Sequence, residues 1–445
     1  MRLKTFKIGG VHPPENKITA HKAIESFPVP TLARVMLHQN LGVASVATVG
    51  KGDEVKVGQV IARQEGFISS SIHSPVSGIV TKIEECVDAS GYRKPAIFIE
   101  TKGDEWLEGI DTTSALVTEI KASKEEIIKK VTEMGIVGLG GATFPSQVKL
   151  MVPEGNKAEY IIINGVECEP YLTSDHRLML ERPHEIMIGV QLLMKASGAS
   201  KALIGIEANK PDAIDLLTKV AQEYSNIEVY GLKVKYPQGG EKQLIKALTG
   251  REVPSGKLPI SVGCIVNNVG TAFAVYEAVQ KNKPLVERVV TITGKGLKEP
   301  GNFMVRIGTS IADLLAHCGY NAEHEAKIVS GGPMMGKAVT TPDIPMVKGT
   351  SGILVIEEGV ERVAVEPCIR CGRCTRVCPM GLEPYLLAMA SSKKMYEITE
   401  ANAVMDCIEC GSCHYICPAG RPLLDYVRLG KSETGKIMRS RKSVQ

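Results

Sequence analysis

Between residues 110 and 285 the chain alternates short, nearly continuous apolar runs with longer stretches whose apolar residues recur every three or four positions. Residues 159–164, 202–207 and 227–234 have the length and β-branched content of buried strands. Residues 125–134, 176–195, 211–223 and 241–248 have a helical period. Strands alternating with helices of about 10–15 residues predict βαβ units around a parallel sheet. The pattern differs on either side. Residues 42–105 read as short strands separated by tight turns, a small all-β unit, with Ser74-Pro75-Val76-Ser77-Gly78 among the turns. Ahead of it, residues 1–41 form an arm in which Gly9-Gly10-Val11-His12-Pro13-Pro14-Glu15-Asn16-Lys17 favours extended structure. Residues 286–358 begin strand, Pro300-Gly301 turn, strand and helix (289–294, 303–307, 310–318), a small α+β unit. Residues 359–430 carry most of the cysteines, and the polar, basic residues 431–445 are expected to be a mobile tail. The middle unit is thus 106–285, and the fold class predicted is multi-domain α/β and α+β.

At 445 residues the chain has room for roughly three domains. Its 53 Lys and Arg against 49 Asp and Glu leave +4, too balanced for a nucleic-acid or anionic-membrane surface. Hydrophobic residues at 44% suffice for several cores, yet no apolar run approaches the ~20 residues of a membrane span. No signal-peptide pattern opens the chain. These features argue against disordered, collagen-like, disulfide-scaffold and integral-membrane classes and predict a soluble intracellular protein.

Of twelve cysteines, Cys86, Cys168, Cys264 and Cys318 stand alone, and eight fall between 368 and 417. A reducing compartment makes such density metal or redox chemistry rather than disulfides. One run is Cys368-Ile-Arg-Cys371-Gly-Arg-Cys374-Thr-Arg-Val-Cys378-Pro379, the other Cys407-Ile-Glu-Cys410-Gly-Ser-Cys413-His-Tyr-Ile-Cys417-Pro418. Each has the C-x2-C-x2-C-x3-C-P spacing of a two-cluster [4Fe–4S] site, in which the fourth cysteine of each run ligates the other cluster. The expected sets are Cys368, Cys371, Cys374 and Cys417, then Cys378, Cys407, Cys410 and Cys413. Structural zinc sites more often pair separated C-x2-C units. The helical stretch 384–390 between the runs predicts a helical two-cluster ferredoxin domain.

Clusters move single electrons, so a two-electron donor would need a flavin as intermediary. Gly138-Leu139-Gly140-Gly141-Ala142-Thr143-Phe144-Pro145 is the most glycine-dense stretch, with Lys149 following as a cation for a phosphate. The strand 159–164 ends in Asn164-Gly165-Val166-Glu167-Cys168-Glu169-Pro170, where open α/β sheets bind ligands. There Glu167 and Glu169 are candidate acceptors for ribose or ribityl hydroxyls. Gly239-Gly240-Glu241 opens a helix as a possible phosphate seat, and Asn267-Asn268-Val269-Gly270-Thr271 offers amides and a hydroxyl before another.

These four segments together resemble the flavoprotein subunit of respiratory complex I and its relatives. The resemblance rests on Gly138, Gly140, Gly141, Ala142, Phe144, Pro145 and Lys149; Asn164, Glu167, Glu169 and Pro170; Tyr236, Gly239 and Glu241; and Asn267, Asn268, Val269 and Thr271. It implies a Rossmann-like α/β domain binding FMN and NAD(H). Leu139 stands where those proteins have Arg, Val166 where they have Asp, and Gly240 and Gly270 where they have Glu. The arm Gly9–Lys17, Leu37-His38-Gln39-Asn40-Leu41-Gly42 and His73-Ser74-Pro75-Val76-Ser77-Gly78 narrow the resemblance to the RnfC family of the Rnf electron-transport complex. That family implies an N-terminal barrel-sandwich hybrid, lipoyl-like but with Phe67 at the position of the modified lysine, and a β-grasp module of the soluble-ligand-binding type at 286–358. It also implies a peripheral subunit at the cytoplasmic face of the cell membrane, exchanging electrons between NAD(H) and ferredoxin through FMN and two [4Fe–4S] clusters. Membrane and iron–sulfur partner subunits would then move Na+ or H+. Soluble corrinoid reductases share the modular plan, and a non-catalytic iron–sulfur relay is the remaining alternative.

Overall fold

The structure, a computed structural model, describes residues 3–321, 326–357 and 364–443. The N-terminal barrel is two small antiparallel sheets facing each other. One holds β2 (Leu32–Met36), β8 (Arg93–Thr101), β7 (Gly78–Val87) and β4 (Glu54–Val55) in that order, the other β3 (Val46–Ala47), β5 (Val60–Arg63) and β6 (Ile72–His73). Alternate residues Ala33 and Val35, Ile97 and Ile99, with Ile61, Ile72 and Val80, fill the space between. A turn in which Gln59 N donates to Lys56 O at 3.1 Å separates β4 from β5.

The arm is not a separate piece. Its last part is β2, paired with β8, and β1 (Ile24–Ser26) pairs in parallel with a strand of the third unit. Both partners lie far off in sequence, so local pattern does not reveal them.

The second unit opens with α1 (Lys124–Glu133), started by a reciprocal capping box between Ser123 and Glu126, and α2 (Ser146–Leu150). Then β9 (Tyr160–Asn164) leads into α3 (Ser174–Glu181) and α4 (Pro183–Ser197). The periodic stretch 176–195 is therefore two helices. Pro183 lacks an N–H and cannot continue the first, but it fits the opening turn of the second. β10 (Lys201–Glu207), α5 (Pro211–Ala221), β11 (Ile227–Leu232), α6 (Glu241–Thr249), β12 (Cys264–Asn268) and α7 (Val269–Gln280) complete the unit. Its sheet is parallel throughout, ordered β11-β10-β9-β12. Ile161, Ile163, Ile204 and Ile206 bury on one face, Ile162, Leu203 and Val266 on the other, which explains the continuous apolar runs.

The third unit contributes β13 (Glu287–Thr293), β14 (Gly301–Arg306), α8 (Ile311–His317), β15 (Ala326–Ser330), β16 (Lys337–Ala338) and β17 (Gly352–Glu357). With β1 they form a mixed sheet ordered β1-β14-β13-β17-β15-β16. Its buried side chains run into those of the second unit as one apolar core from Ile127 to Val355.

The fourth unit is helical: α9 (Arg373–Val377), α10 (Pro384–Ser392), α11 (Tyr396–Ala401), α12 (Ser412–Tyr415) and α13 (Leu423–Ser443). Of the residues expected to be a mobile tail, 431–443 belong to α13, and 444–445 lie outside the described residues. Their packing face uses small groups that a hydrophobic period does not register. A side chain at Gly430 would lie 2.0 Å from Ser391 Oγ, and the Thr434 and Thr399 hydroxyls are 2.6 Å apart.

Candidate functional site

From β9 the sheet grows through β10 to β11, and the chain then crosses to β12 on the opposite side of β9. That reversal opens a crevice at the carboxyl ends of β9 and β12, the usual ligand site of an open α/β sheet. Asn164 ends β9, and Asn267 and Asn268 end β12.

The glycine loop lies at this crevice. Gly138 N donates to Phe144 O at 2.9 Å, closing it, and Leu139 N donates to Thr271 Oγ1 at 2.9 Å. From the third unit, Arg288 Nη1 donates to Leu139 O at 3.2 Å. A side chain at Gly141 would meet nothing within 4 Å, whereas one at Gly140 would strike Asn268 at 2.8 Å. Gly140, Gly141 and Ala142 are exposed, a bare peptide edge over which a flat ring or phosphate can lie. Phe144 is half-buried beside it.

Asn164 ties the strand end to the Gly239 turn, its Nδ2 donating to Gly239 O at 2.9 Å and its Oδ1 accepting from Val166 N. Asn268 caps α7 through Gly270 N at 2.7 Å and donates to Asp175 Oδ2 at 2.6 Å. Lys149 donates to Val266 O at 2.8 Å and pairs with Glu241 at 3.3 Å, so both charges stand at the crevice. Asn267 Nδ2 is buried with no partner among the described residues. An orphaned buried amide, an open glycine edge and a nearby lysine fit a flavin mononucleotide, with its carbonyls and phosphate.

The two turn acids behave differently from expectation. Glu167 has φ 45, which turns its carboxylate back to accept from Asp175 N (2.8 Å), His176 N (3.1 Å) and Ser174 Oγ (3.2 Å) at the start of α3. Glu169 accepts from Met334 N at 3.0 Å, Met335 N at 2.8 Å and Tyr236 Oη at 3.4 Å, and burial pushes its pKa up. Neither stands free as an acceptor for sugar hydroxyls; both fasten the turn to its neighbours.

Three further residues hold the site and were not found from sequence. Lys17 of the arm donates to Glu167 O, Glu169 O and Leu172 O at 2.8, 2.9 and 2.6 Å, its pKa lowered to about 8 by burial. Asp175 is raised to about 7, by burial and then by Glu167, and buried Arg288 is lowered to about 10 by burial. The prolines predict that the arm is extended, but nothing in them states which turn Lys17 reaches.

The cysteines form two environments. Cys378, Cys407, Cys410 and Cys413 line one cavity walled by Pro379, Leu382, Leu387, Leu424 and Val427, joining the last thiol of one run to three of the other. Leu382 N lies 3.4 Å from Cys378 Sγ and Glu409 N 3.4 Å from Cys407 Sγ, amide donors that suit a cluster's negative sulfur. Cys374 and Cys417 are partly buried against the helical core, while Cys368 and Cys371 are exposed. Among the described residues, no three His, Cys, Asp or Glu side chains converge closely enough for a single metal ion. Four thiols lining one cavity, one from the first run and three from the second, fit the ligand set of a [4Fe–4S] cubane.

The comparisons with known proteins follow the same order. Residues 4–104 match the RnfC barrel sandwich hybrid domain, 131–277 the Nuo51 FMN-binding domain, 289–338 the SLBB domain and 362–418 the 4Fe-4S dicluster domain. The C subunit of the proton-translocating ferredoxin:NAD(+) oxidoreductase complex of Clostridium ljungdahlii is 48% identical, over 97% of this chain and 94% of that protein. The C subunit of the Na(+)-translocating ferredoxin:NAD(+) oxidoreductase complex of Acetobacterium woodii is 44% identical, over 96% and 97%. An NAD+-reducing [NiFe]-hydrogenase in the air-oxidized state shares the fold, with a TM-score of 0.51 and 20% identity over 70% of this chain and 63% of its own. With domain order, cysteine spacing and near full-length identity in agreement, the chain belongs to the RnfC family, the C subunits of ion-translocating ferredoxin:NAD(+) oxidoreductase complexes, whose domains bind FMN and two [4Fe–4S] clusters.

Proposed function

We propose that this chain passes electrons between NAD(H) and ferredoxin as a peripheral subunit at the cytoplasmic face of such a complex. The observation that carries this reading is that the glycine-loop crevice and the four-cysteine cavity share a wall. Tyr236 packs with Cys410 in one apolar cluster that also includes Val11, Cys168 and Val377. Helix α6 begins at Glu241 in the crevice, and Gln243 on it donates to Pro379 O at 3.4 Å, beside Cys378.

When bound, FMN and the clusters supply the change from two-electron hydride chemistry to single-electron transfer. The chain's residues position and insulate. Gly138, Gly140, Gly141 and Ala142 offer backbone to a ring or phosphate, with Phe144 at its edge. Lys149 supplies a positive charge, and Asn267 an unpaired amide. Asn164, Asn268, Thr271, Gly239 and Glu241 fix the strand ends and turns around it, and Glu167 and Glu169 brace the turn between them. The inner cysteine set is Cys378, Cys407, Cys410 and Cys413. Cys368, Cys371, Cys374 and Cys417 form the outer set, facing protein partners. No helix among the described residues is long and apolar enough to cross a membrane, which supports placing Na+ or H+ movement in the partner subunits.

An anaerobic NADH titration of the reconstituted protein, followed by absorbance and EPR, tests the reading. Flavin bleaching followed by reduced-cluster signals is the expected result. Bound FMN and intact clusters that ignore NADH would overturn the hydride step and leave an electron relay.

A further inference from the structure

Behind the exposed glycine edge stands an acid, Asp175, that neither braces the turn nor lies at the crevice surface. A side chain at Gly140 would strike Asn268 Nδ2 at 2.8 Å, so the Asn268 amide lies directly beneath that edge. The same nitrogen donates to Asp175 Oδ2 at 2.6 Å. Asp175 is therefore one side chain removed from whatever covers Gly140. It is closely packed yet not sealed. With Ser174, Glu277, Glu287 and Arg288 it lines a cavity of about 20 Å³, room for one water to carry a proton.

Asp175 and Glu167 are adjacent acids in unlike settings. Glu167 spends its carboxylate on three donors at the start of α3, one of them Asp175 N. The cations facing Asp175 are engaged elsewhere. Arg288 on β13 donates to the carbonyls of Leu139, Lys348 and Val289, and Lys210 ahead of α5 donates to Val166 O and Asn209 Oδ1. Glu277 of α7 and Glu287 of β13 each hold Lys283 at 2.7 Å. His176, next on α3, meets Asp212 of α5 at 2.8 Å, and burial lowers its pKa. Toward β1 and α4, Glu181 pairs with Arg177 at 2.8 Å and Glu185 with Arg182 at 3.8 Å. Of two neighbouring carboxylates, the one with fewer donors takes the first proton. Burial and then Glu167 accordingly raise Asp175 to about 7.

We propose that Asp175 is the redox-linked proton acceptor of the crevice, taking up a solvent proton when the flavin is reduced and releasing it on reoxidation. The inference rests on FMN occupying the glycine edge. A hydride brings the flavin two electrons and one proton, hence one net negative charge. That charge, facing Asp175 across the Asn268 amide, makes the carboxylate a stronger base. The proton comes from solvent and forms an O–H bond at Asp175. That bond breaks, and the proton returns to solvent, as the electrons leave singly for the clusters. Asp175 touches no reacting atom and acts by charge alone. Below about pH 7 its carboxyl is neutral in both flavin states; just above, it is ionised beside oxidised flavin and gains a proton on reduction.

The test is a spectroelectrochemical titration of bound FMN in the full-length reconstituted protein, repeated from about pH 5.5 to about pH 9. Once pH passes about 7, the wild-type midpoint potential is expected to fall more steeply than that of Asp175→Asn. The two curves should meet at acid pH, where a neutral carboxyl and an amide are alike, and diverge above it, with the variant higher. Asp175→Glu is expected to restore the steeper fall, and Glu277→Gln to keep it. Infrared difference spectra of the wild type should gain a protonated-carboxyl band on reduction just above pH 7, displaced in Asp175→Glu. That band decides the matter if Asp175→Asn loses FMN. Parallel curves for wild type and Asp175→Asn, or no such band, overturn the proposal. So does a steep fall lost equally in Glu277→Gln, which would move the proton to that acid. Wild type that holds no FMN would instead overturn the flavin reading beneath it.

Discussion

The guanidinium of Arg288, on β13, donates to the main-chain oxygen of Leu139 at 3.2 Å, so the third unit holds the glycine loop of the second. The same Nη1 donates to Lys348 O at 2.6 Å, and the group is attracted to buried Asp175. Leu139 occupies the place where the related flavoprotein subunits carry Arg, and here a guanidinium reaches that residue from another strand.

Replacing Arg288 with Met should therefore loosen the loop from beneath. It leaves two buried carbonyls without their donor and Asp175 without its cation. The expected cost is about 3 kcal/mol of stability, with FMN lost on desalting while iron content is retained. Denaturant unfolding, flavin fluorescence and iron assay on one preparation check this.

Asn267 is predicted to separate cofactor binding from folding. Its buried Nδ2 has no partner among the described residues, and an unpaired buried donor costs about 1–3 kcal/mol. Asn267→Leu should leave the apoprotein as stable as wild type or more so, yet weaken FMN about tenfold, equivalent to about 1.4 kcal/mol. Equal FMN affinity in the variant would remove Asn267 from the site.

The cysteine grouping predicts iron counts. Cys378→Ala should remove the cluster shared with Cys407, Cys410 and Cys413, dropping iron from about 8 to about 4 per chain although Cys378 lies in the first run. Cys368→Ala should remove the other cluster. Distinct EPR signals from the two variants check the assignment; loss of both clusters from Cys378→Ala would show that the sites do not assemble independently.

Asp175 predicts a pH dependence. Its pKa is raised to about 7 in the fold, by burial and then by Glu167, against 3.8 as its ordinary value. Between these values the native state holds a proton that the unfolded chain has released, so its contribution to stability is full below about 4 and is lost as pH rises through 7. Relative to Asp175→Asn, the wild-type melting temperature should fall from pH 4 to pH 7. Parallel profiles in the apoprotein would place the titration elsewhere.

Much of the architecture follows from local chemistry. The cubane spacing of the cysteines is set within a dozen residues of backbone, and apolar periods over 159–280 separate strand from helix because each buries a face of fixed geometry. Pro183 also ends one helix and starts another by local sterics, although the continuous apolar period masks the break. The crevice was legible in its glycines and asparagines, since backbone exposure and strand-end capping are local properties.

What each polar side chain holds was decided only by the tertiary structure. Glu167 and Glu169 resemble free acids in sequence, but a positive φ and the approach of Met334 and Met335 assign them to backbone amides. Lys17 meets carbonyls 150 residues away, and Arg288 meets a loop 149 residues back. Helix α13 extends through the supposed tail because Gly430 and Thr434 allow close approach to α10 and α11, a fit without hydrophobic period. Such partners depend on chain reversals and domain packing, so the sequence determined which chemistry is present and the fold determined where each group acts.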